Sequence, residues 1–329
     1  MASLGKLRGL GGDAPAASQA DRDAPLYYNL RRPSTRNSAI RTLLKRALSS
    51  FNTRLLFVLP HHLLSRLVHH LTRVQVVWLK NTMIRLFVRV FAVDMGSARI
   101  PDPCAYPDFN AFFTRDLLPS ARPVVDTPGA VSVPVDGAVS QCGEIRGGRL
   151  LQAKGIDYSL DALLGSVGLA AEFDGGCFAT LYLSPRDYHR IHMPLEGRLQ
   201  AMSYIPGRLF SVNTHSTRTV NALFARNERV VTLFDTEAGR MAMVLVGAIF
   251  VSGIETVWHG PVRPDRAGGV THWDYRENPP TLARGAEMGR FNMGSTVIVL
   301  FPPGRVELAP RLGPEVAVRM GELLGNVKR

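Results

Sequence analysis

The sequence is poor in cysteine and lacks any apolar run long enough to cross a bilayer as a helix. Its 329 residues contain three cysteines, Cys104, Cys142 and Cys177, too scattered for a disulfide framework or a thiolate metal site. Such sparse usage is typical of a reducing compartment. No uncharged stretch reaches the roughly 18–20 apolar residues of a membrane-spanning helix, and no signal-peptide core is present. We therefore expect neither a transmembrane span nor secretion.

Net positive charge is confined to the first part of the chain. Residues 1–90 hold 15 Lys and Arg against 3 Asp, which equals the formal net charge of +12 for the whole chain, so residues 91–329 balance. A basic segment seeks an anionic surface, either lipid headgroups or nucleic acid. Large aliphatic residues outnumber the polar and stacking groups of a nucleic-acid-binding arm. An anionic membrane is therefore the expected partner, and nucleic acid is not.

The composition divides this basic part into two segments. Residues 1–40 are rich in Gly, Ala, Ser, Asp and Arg, and we expect a disordered lead. An Arg-bearing organelle presequence is the alternative, although three aspartates count against it. Residues 41–95 show the apolar period of basic amphipathic helices. Such helices lie in a membrane interface or pack on the domain that follows, and the sequence leaves both interpretations open. The apolar positions are Leu63, Leu64, Leu67, Val68 and Leu71, then Val76, Leu79, Met83, Ile84, Phe87 and Val88.

From residue 96 to residue 329 the chain changes to short β-type runs divided by Gly and Pro. Helical patterns are few and short, at residues 108–114, 159–164 and 314–324. This pattern of many short strands and few helices predicts an α+β fold. Its main domain is expected to be a mostly antiparallel β-sheet, preceded by the basic helices. The clearest predicted strands cover residues 131–135, 177–183, 230–234, 241–246 and 297–301.

One predicted strand follows Gly294-Ser295-Thr296, where chemistry could occur. Glycine tolerates a strained turn, from which the Ser295 hydroxyl could reach the preceding carbonyl carbon. Asp136 ends an apolar run, and His189 and His192 follow another. An aspartate that orients a histidine, which deprotonates a serine, is a known arrangement in any chain order. The two histidines could instead hold zinc, but no third ligand lies at a recognisable spacing. We therefore predict no metal site.

Taken together, these stretches resemble a known family, the pyruvoyl-dependent phosphatidylserine decarboxylases of the membrane-associated bacterial and mitochondrial type. The resemblance covers about residues 86–301 and rests on many collinear segments. They are 109–115 (FNAFFTR), 121–124 (ARPV), 134–137 (PVDG), 152–155 (QAKG), 158–160 (YSL), 183–194 (LSPRDYHRIHMP), 206–213 (PGRLFSVN), 223–230 (LFARNERV), 253–258 (GIETVW) and 287–291 (EMGRF) before Gly-Ser-Thr.

The resemblance implies a proenzyme that cleaves itself between Gly294 and Ser295 into a β chain, 1–294, and an α chain, 295–329. Ser295 would become a covalent pyruvoyl group, the only cofactor implied, which forms a Schiff base with the amine of phosphatidylserine. The processing triad falls on Asp136, His192 and Ser295, and His189 matches a position that handles the substrate. The family usually has Leu where Met293 stands, a change that conserves volume.

The implied activity converts phosphatidylserine in the bilayer to phosphatidylethanolamine and CO2. The implied setting is a homodimer, peripheral on the cytoplasmic face of a bacterial plasma membrane or, alternatively, on a mitochondrial inner membrane. Three other functions remain open from the residues themselves. They are a non-catalytic membrane-binding protein, a zinc hydrolase using His189 and His192, and a pyruvoyl decarboxylase acting on another amine. The basic segment and the intact residue set favour the lipid decarboxylase.

Overall fold

The computed structural model describes residues 61–249, 253–263 and 268–328. The lead predicted at residues 1–40 lies outside this range, as do residues 41–60 of the predicted helical segment.

Polar caps begin four of the helices in the described residues. The side chains of Asp108, Ser159, Ser166 and Asn213 each accept a hydrogen bond from the backbone N–H three residues later. Because these N–H groups have no partner inside the helix, the caps define where the short helices start. The helices are α1 (His61–Leu71), α2 (Val77–Phe91), α3 (Phe109–Phe113), α4 (Leu160–Leu164), α5 (Val167–Phe173), α6 (Thr214–Thr217) and α7 (Leu223–Arg226), with a 3-10 turn at Pro119–Ala121.

The larger part of the described chain forms β-strands, and each named pair of strands is antiparallel. The strands are β1 (Ala130–Ser132), β2 (Gly137–Glu144), β3 (Arg149–Ala153), β4 (Ile156–Ser159), β5 (Cys177–Leu183), β6 (Arg190–His192), β7 (Gly197–Ile205), β8 (Arg229–Thr236), β9 (Gly239–Gly247), β10 (Ile254–Thr256), β11 (Gly260–Val262), β12 (Thr271–Asp274), β13 (Thr281–Leu282), β14 (Glu287–Phe291), β15 (Ser295–Phe301), β16 (Val306–Leu308), β17 (Ala317–Val318) and β18 (Leu323–Val327).

A nine-stranded sheet organises these strands. Its order is β12-β7-β8-β9-β15-β5-β2-β17, and β13 also pairs with β7. Smaller sheets have the orders β11-β10-β14-β6, β1-β18-β16 and β3-β4. The antiparallel, mostly β architecture with few helices confirms the fold class that the sequence predicted.

Strand β15 is buried along its whole length because both faces of the large sheet are covered. Alternate residues of a strand point to opposite faces. Val297 and Val299 belong to a core cluster with residues of β6 and β14, on the side of the smaller sheets. Ile298 and Leu300 belong to a second cluster with residues of α4, α5 and α7. This double burial explains why the strand reads as a continuous apolar run.

The helix predicted at residues 314–324 is wrong. The segment forms β17 and the start of β18, joined by a turn. Gly321 has φ +90°, and a side chain there would collide with the Pro123 carbonyl. Its backbone N–H donates to Val133, and the N–H of Val133 donates to Glu322. The conformation is set by pairing with a segment that is distant in the sequence. The periodicity of apolar residues within 314–324 does not predict such pairing.

Helix α2 packs one side on α3. Ile84 is fully buried, and the Phe87 ring lies 5.1 Å from that of Phe109, centroid to centroid. The other side remains open, with Val77 64% and Trp78 71% exposed. One side of this helix therefore packs on the domain that follows, and the membrane interpretation of the other side stays a prediction. Within the described residues, no helix combines the length and the hydropathy of a membrane span.

Candidate active site

A sharp corner joins β14 to β15 directly before Ser295. Met293 has φ +96° and Gly294 has φ +25°, both left-handed. A non-glycine residue in a sparsely populated conformation costs on the order of 1–3 kcal/mol. The Met293 side chain packs against the aromatic cluster of α2 and α3, which holds the corner from one side. The peptide bond that the resemblance marks for cleavage therefore follows a strained residue.

Ser295 is fully buried at the start of the central strand. It pairs with Leu183 of β5 and with Gly247 of β9. Directly opposed residues in an antiparallel pair point to the same face, so the Ser295 side chain points, like Leu183, toward the layer of β6 and β14. Among the described residues, its hydroxyl has no hydrogen-bond partner. A buried hydroxyl without a partner is costly, and it marks this position as unusual.

Asp136 lies two strands away, at the same end of the sheet. Gly137 packs so closely on β5 that a side chain there would meet the Tyr182 carbonyl. The carboxylate of Asp136 accepts hydrogen bonds from the Arg122 guanidinium, at 2.8, 3.0 and 2.5 Å. It also accepts one from the Met320 backbone N–H at 2.9 Å. Arg122 and the backbone therefore fix the carboxylate in a buried position.

His192 is held as a neutral imidazole in the uncleaved chain. Its Nδ1 lies 2.8 Å from the Gly285 carbonyl, which can only accept, so Nδ1 carries the proton. Its Nε2 lies 3.0 Å from the Tyr188 hydroxyl and therefore accepts from it. Burial lowers the pKa of His192, and the Gly285 carbonyl opposes this shift. A neutral imidazole with a lone pair on Nε2 is the form that can take a proton.

His189 lies in an apolar setting three residues earlier. Its ring stacks on Phe113 of α3, with centroids 4.1 Å apart and planes at 22°. It is fully buried, and neither ring nitrogen makes a hydrogen bond of good geometry among the described residues. Burial, and next the charge of Arg115, lower the pKa of His189 to about 3. The backbone of Ser184 and Pro185 lies close enough to oppose part of the fall in its pKa. Its carbonyl accepts from Phe291, four residues before Ser295.

The four predicted residues gather at one end of the large sheet, where Leu183 links Ser295 to the segment after Asp136. The direct hydrogen bonds of a triad are absent among the described contacts: Asp136 binds Arg122, and His192 binds Gly285 and Tyr188. The triad and the role of His189 stay predictions.

Sequence reasoning did not single out Arg122, Tyr188 or Arg115, which contact or adjoin these groups. Each lies inside a segment that carried the resemblance, at residues 109–115, 121–124 and 183–194. Within the described residues, no three His, Cys, Asp or Glu side chains form a group that could hold a metal ion.

A cavity of about 870 Å³ borders this end of the sheet. Gly137, Tyr182 and Ser184 line it on the side of β2 and β5. The lining also carries charged groups of both signs, Lys154, Arg186 and Arg218 with Asp187 and Glu315. The cavity therefore adjoins the segment after Asp136 and the turn that follows Leu183.

Comparison with known proteins identifies the family. The family model described as phosphatidylserine decarboxylase matches residues 109–326, and a model described as PSD matches residues 51–92. Phosphatidylserine decarboxylase proenzymes of Stutzerimonas stutzeri, Nitrosococcus oceani and Methylococcus capsulatus are 57%, 55% and 51% identical to this chain. The alignments cover 82%, 82% and 83% of this chain and 92%, 89% and 95% of those proteins. The chain therefore belongs to the phosphatidylserine decarboxylase family and is a decarboxylase made as a self-processing proenzyme.

Proposed function

We propose that this chain converts phosphatidylserine to phosphatidylethanolamine and CO2, using a pyruvoyl group that it makes from its own Ser295. The observation that carries the proposal is the left-handed corner at Met293 and Gly294. This corner leads into a buried serine whose hydroxyl has no hydrogen-bond partner in the described parts of the chain. In a chain of this family, such a corner suits the rearrangement of a peptide bond. An unpartnered hydroxyl is also free to attack.

The processing step starts at the Ser295 hydroxyl. Its oxygen attacks the carbonyl carbon of Gly294, the C–N bond breaks, and an ester and a free amine result. Loss of the Ser295 α-proton expels the Gly294 carboxylate and leaves dehydroalanine. Dehydroalanine with a free amine is an enamine, and water hydrolyses its imine tautomer, which releases ammonia and leaves a ketone at the start of the α chain, 295–329. The β chain, 1–294, ends in the carboxylate of Gly294.

His192 is proposed as the base, because it is neutral and its Nε2 carries the lone pair. The Tyr188 hydroxyl must release Nε2 before that nitrogen can take the serine proton. The charge of Asp136 raises the pKa of His192 and so favours the imidazolium that then forms. Asp136 thus acts on His192 through the electrostatic field of its charge, and the hydrogen bonds from Arg122 fix the position of its carboxylate.

A pyruvoyl group at position 295 would supply a ketone that binds the substrate amine and draws off the electrons left when CO2 departs. The burial of position 295 fits such a group, since an apolar site excludes water. His189 is proposed to deliver the proton to the carbon that loses CO2. In the uncleaved chain burial keeps it neutral, and an anionic substrate beside it would favour its protonated form.

The lipid substrate requires a membrane-facing surface, which we assign to α1 and α2. Leu67, Trp78 and Leu86 are 63%, 71% and 59% exposed. Together with the basic residues of this segment, they suit an anionic bilayer. We further propose peripheral attachment at the cytoplasmic face of a bacterial plasma membrane and, from the family resemblance, a homodimer.

Intact-mass spectrometry of the purified protein tests the proposal. Two chains are expected, the smaller one blocked by a pyruvoyl group at position 295. Ser295→Ala should give one uncleaved, inactive chain. Ser203→Ala is the matched control, because this strand serine contacts His272 away from the corner, and it should be cleaved normally. A single active chain, or cleavage of Ser295→Ala, would overturn the proposal.

A further inference from the structure

Arg115 is a buried cation that forms no ion pair within the part of the chain that the structure describes. It lies two residues after the end of α3 and is 4% exposed. Its Nη2 donates to the Arg186 carbonyl at 3.2 Å, and its guanidinium carbon lies 5.7 Å from the Phe112 ring centroid. Among the described residues, its Nε has no hydrogen-bond partner. One carbonyl and one aromatic ring leave a buried guanidinium poorly compensated.

Arg229 shows how this chain satisfies a buried guanidinium that serves the fold. Arg229 is 3% exposed, and its three nitrogens donate to four backbone carbonyls. These belong to Ala162, Leu163, Ala225 and Asn227, at 2.5–3.0 Å. Arg115 is buried to a similar degree, but within the described residues it donates one such bond. A purely structural role therefore explains Arg229 and not Arg115.

The carboxylates around Arg115 are engaged elsewhere. Burial lowers the pKa of Arg115, and Tyr106, followed by Asp136, Asp94 and Asp187, partly opposes that shift. Asp136 is bound by Arg122, Asp187 accepts from the Ser184 backbone N–H at 2.7 Å, and Asp94 accepts from the Gly96 backbone N–H at 2.9 Å. Within the described residues, none of the three forms an ion pair with Arg115. The guanidinium thus keeps donor capacity for an anion that the chain itself does not supply.

Arg115 lies beside the reacting end of the sheet. Its partner Arg186 belongs to the turn that follows Leu183, the residue paired with Ser295. The His189 ring lies against the backbone of Ser184 and Pro185 in the same turn, and the charge of Arg115 acts on it. The Arg115 guanidinium, the His189 imidazole and the Ser295 hydroxyl therefore all lie near the turn at this end of the sheet.

We propose that Arg115 binds an anionic oxygen group of the substrate headgroup and so positions the headgroup beside Ser295. This rests on the proposed function. The shared chemistry is an oxyanion that accepts from a planar guanidinium fork, which both the carboxylate and the phosphodiester of phosphatidylserine offer. Because the phosphodiester survives the reaction and the carboxylate does not, the product can distinguish the two.

The test compares Arg115→Met with Arg186→Met in the processed enzyme. Both variants remove one positive charge from the same turn region, but the Arg186 side chain is 67% exposed and Arg115 uses only its backbone carbonyl. Processing into two chains serves as the folding check. Arg115→Met should raise KM for phosphatidylserine in mixed micelles by about tenfold to a hundredfold, the loss of a charge-assisted hydrogen bond. Arg186→Met should leave KM within about twofold of wild type.

Calorimetric titration with dihexanoyl phosphatidylethanolamine, which keeps the phosphodiester and lacks the carboxylate, separates the two anions. Weaker product binding by the same factor as the rise in KM assigns the phosphodiester to Arg115. Unchanged product binding with a raised KM assigns the carboxylate.

An unchanged KM in Arg115→Met overturns the proposal, whatever happens to kcat. If Arg115→Met is not processed, Arg115→Lys carries the same comparison, because it keeps the charge and loses the fork. A wild-type KM in Arg115→Lys then overturns the proposal. Processing of wild type and activity of Arg186→Met show separately that the proposed function stands.

Discussion

The Tyr188 hydroxyl donates to Nε2 of His192 across 3.0 Å and so occupies the lone pair that a base would use. Burial raises the pKa of Tyr188, so the phenol stays protonated and acts as a donor. The contact stabilises the neutral imidazole in the uncleaved chain. It also places a hydroxyl that must move before His192 accepts a proton.

Tyr188→Phe should shift the pH dependence of self-processing. Without the donated hydrogen bond, the neutral form of His192 loses stabilisation and its pKa rises by up to about one unit. Since the neutral form is the base, the rate falls when the pH drops through this pKa. The acidic limb of the rate profile should therefore move to higher pH, which timed electrophoresis of refolded precursor measures. A limb at the wild-type pH would exclude this role of the contact.

His189 should make the precursor sensitive to acid. Its pKa is about 3 in the folded chain and about 6.5 unfolded, so between these values the unfolded chain binds more protons. Stability is then present above pH 6.5 and is lost as the pH falls toward 3. In a Ser295→Ala background, His189→Phe should remove up to about 1.4 kcal/mol per pH unit from the slope of the unfolding free energy. Equal slopes from denaturant titrations would contradict the buried, neutral imidazole.

Met293→Gly should slow processing. Glycine adopts φ +96° without the strain that methionine bears there, so the corner relaxes by on the order of 1–3 kcal/mol. The variant also loses the contact with the α2 and α3 cluster. Met293→Leu keeps volume and strain and should process at the wild-type rate. Equal processing rates for the wild type, Met293→Gly and Met293→Leu would show that backbone strain at this position does not contribute to processing.

Asp136→Asn should slow processing by at least about tenfold, because the imidazolium of His192 loses a favourable charge. The unpaired Arg122 should also destabilise the precursor, by about 3–5 kcal/mol at most. Asp157→Asn is the control, since the Arg149–Asp157 pair is half exposed. Normal processing in Asp136→Asn, measured beside that control, would remove Asp136 from the machinery.

Trp78→Gln with Leu86→Gln should weaken binding to anionic vesicles. Burial of each such side chain in an interface contributes roughly 1.5–3 kcal/mol, so affinity should fall by at least about tenfold. Val167→Gln is the control, because Val167 is 75% exposed but lies on α5, outside the basic segment of residues 41–95. Vesicle flotation measures the bound fraction. Unchanged binding of the double variant would contradict the assigned surface.

Sequence reasoning found strands best where burial left a local signature. The run 177–183 became β5 with the same bounds, and 297–301 became most of β15. Both strands lie in the middle of the large sheet, so nearly every residue is apolar. The segment 314–324 failed because its apolar residues pair with strands more than a hundred residues earlier. Side-chain spacing along such a segment resembles that of a helix.

The sequence alone determined the family, the antiparallel fold class and the residues proposed for chemistry, because residue types in a fixed order carry that information. Tertiary structure decided how each candidate is held. Arg122 binds Asp136, and the Gly285 carbonyl binds Nδ1 of His192, so the two groups that a simple triad would join are bound to other partners. The backbone at Met293 adopts a strained, left-handed conformation. Hydrogen bonds, burial and backbone angles depend on which distant segments pack together. The local pattern of residue types does not specify that packing.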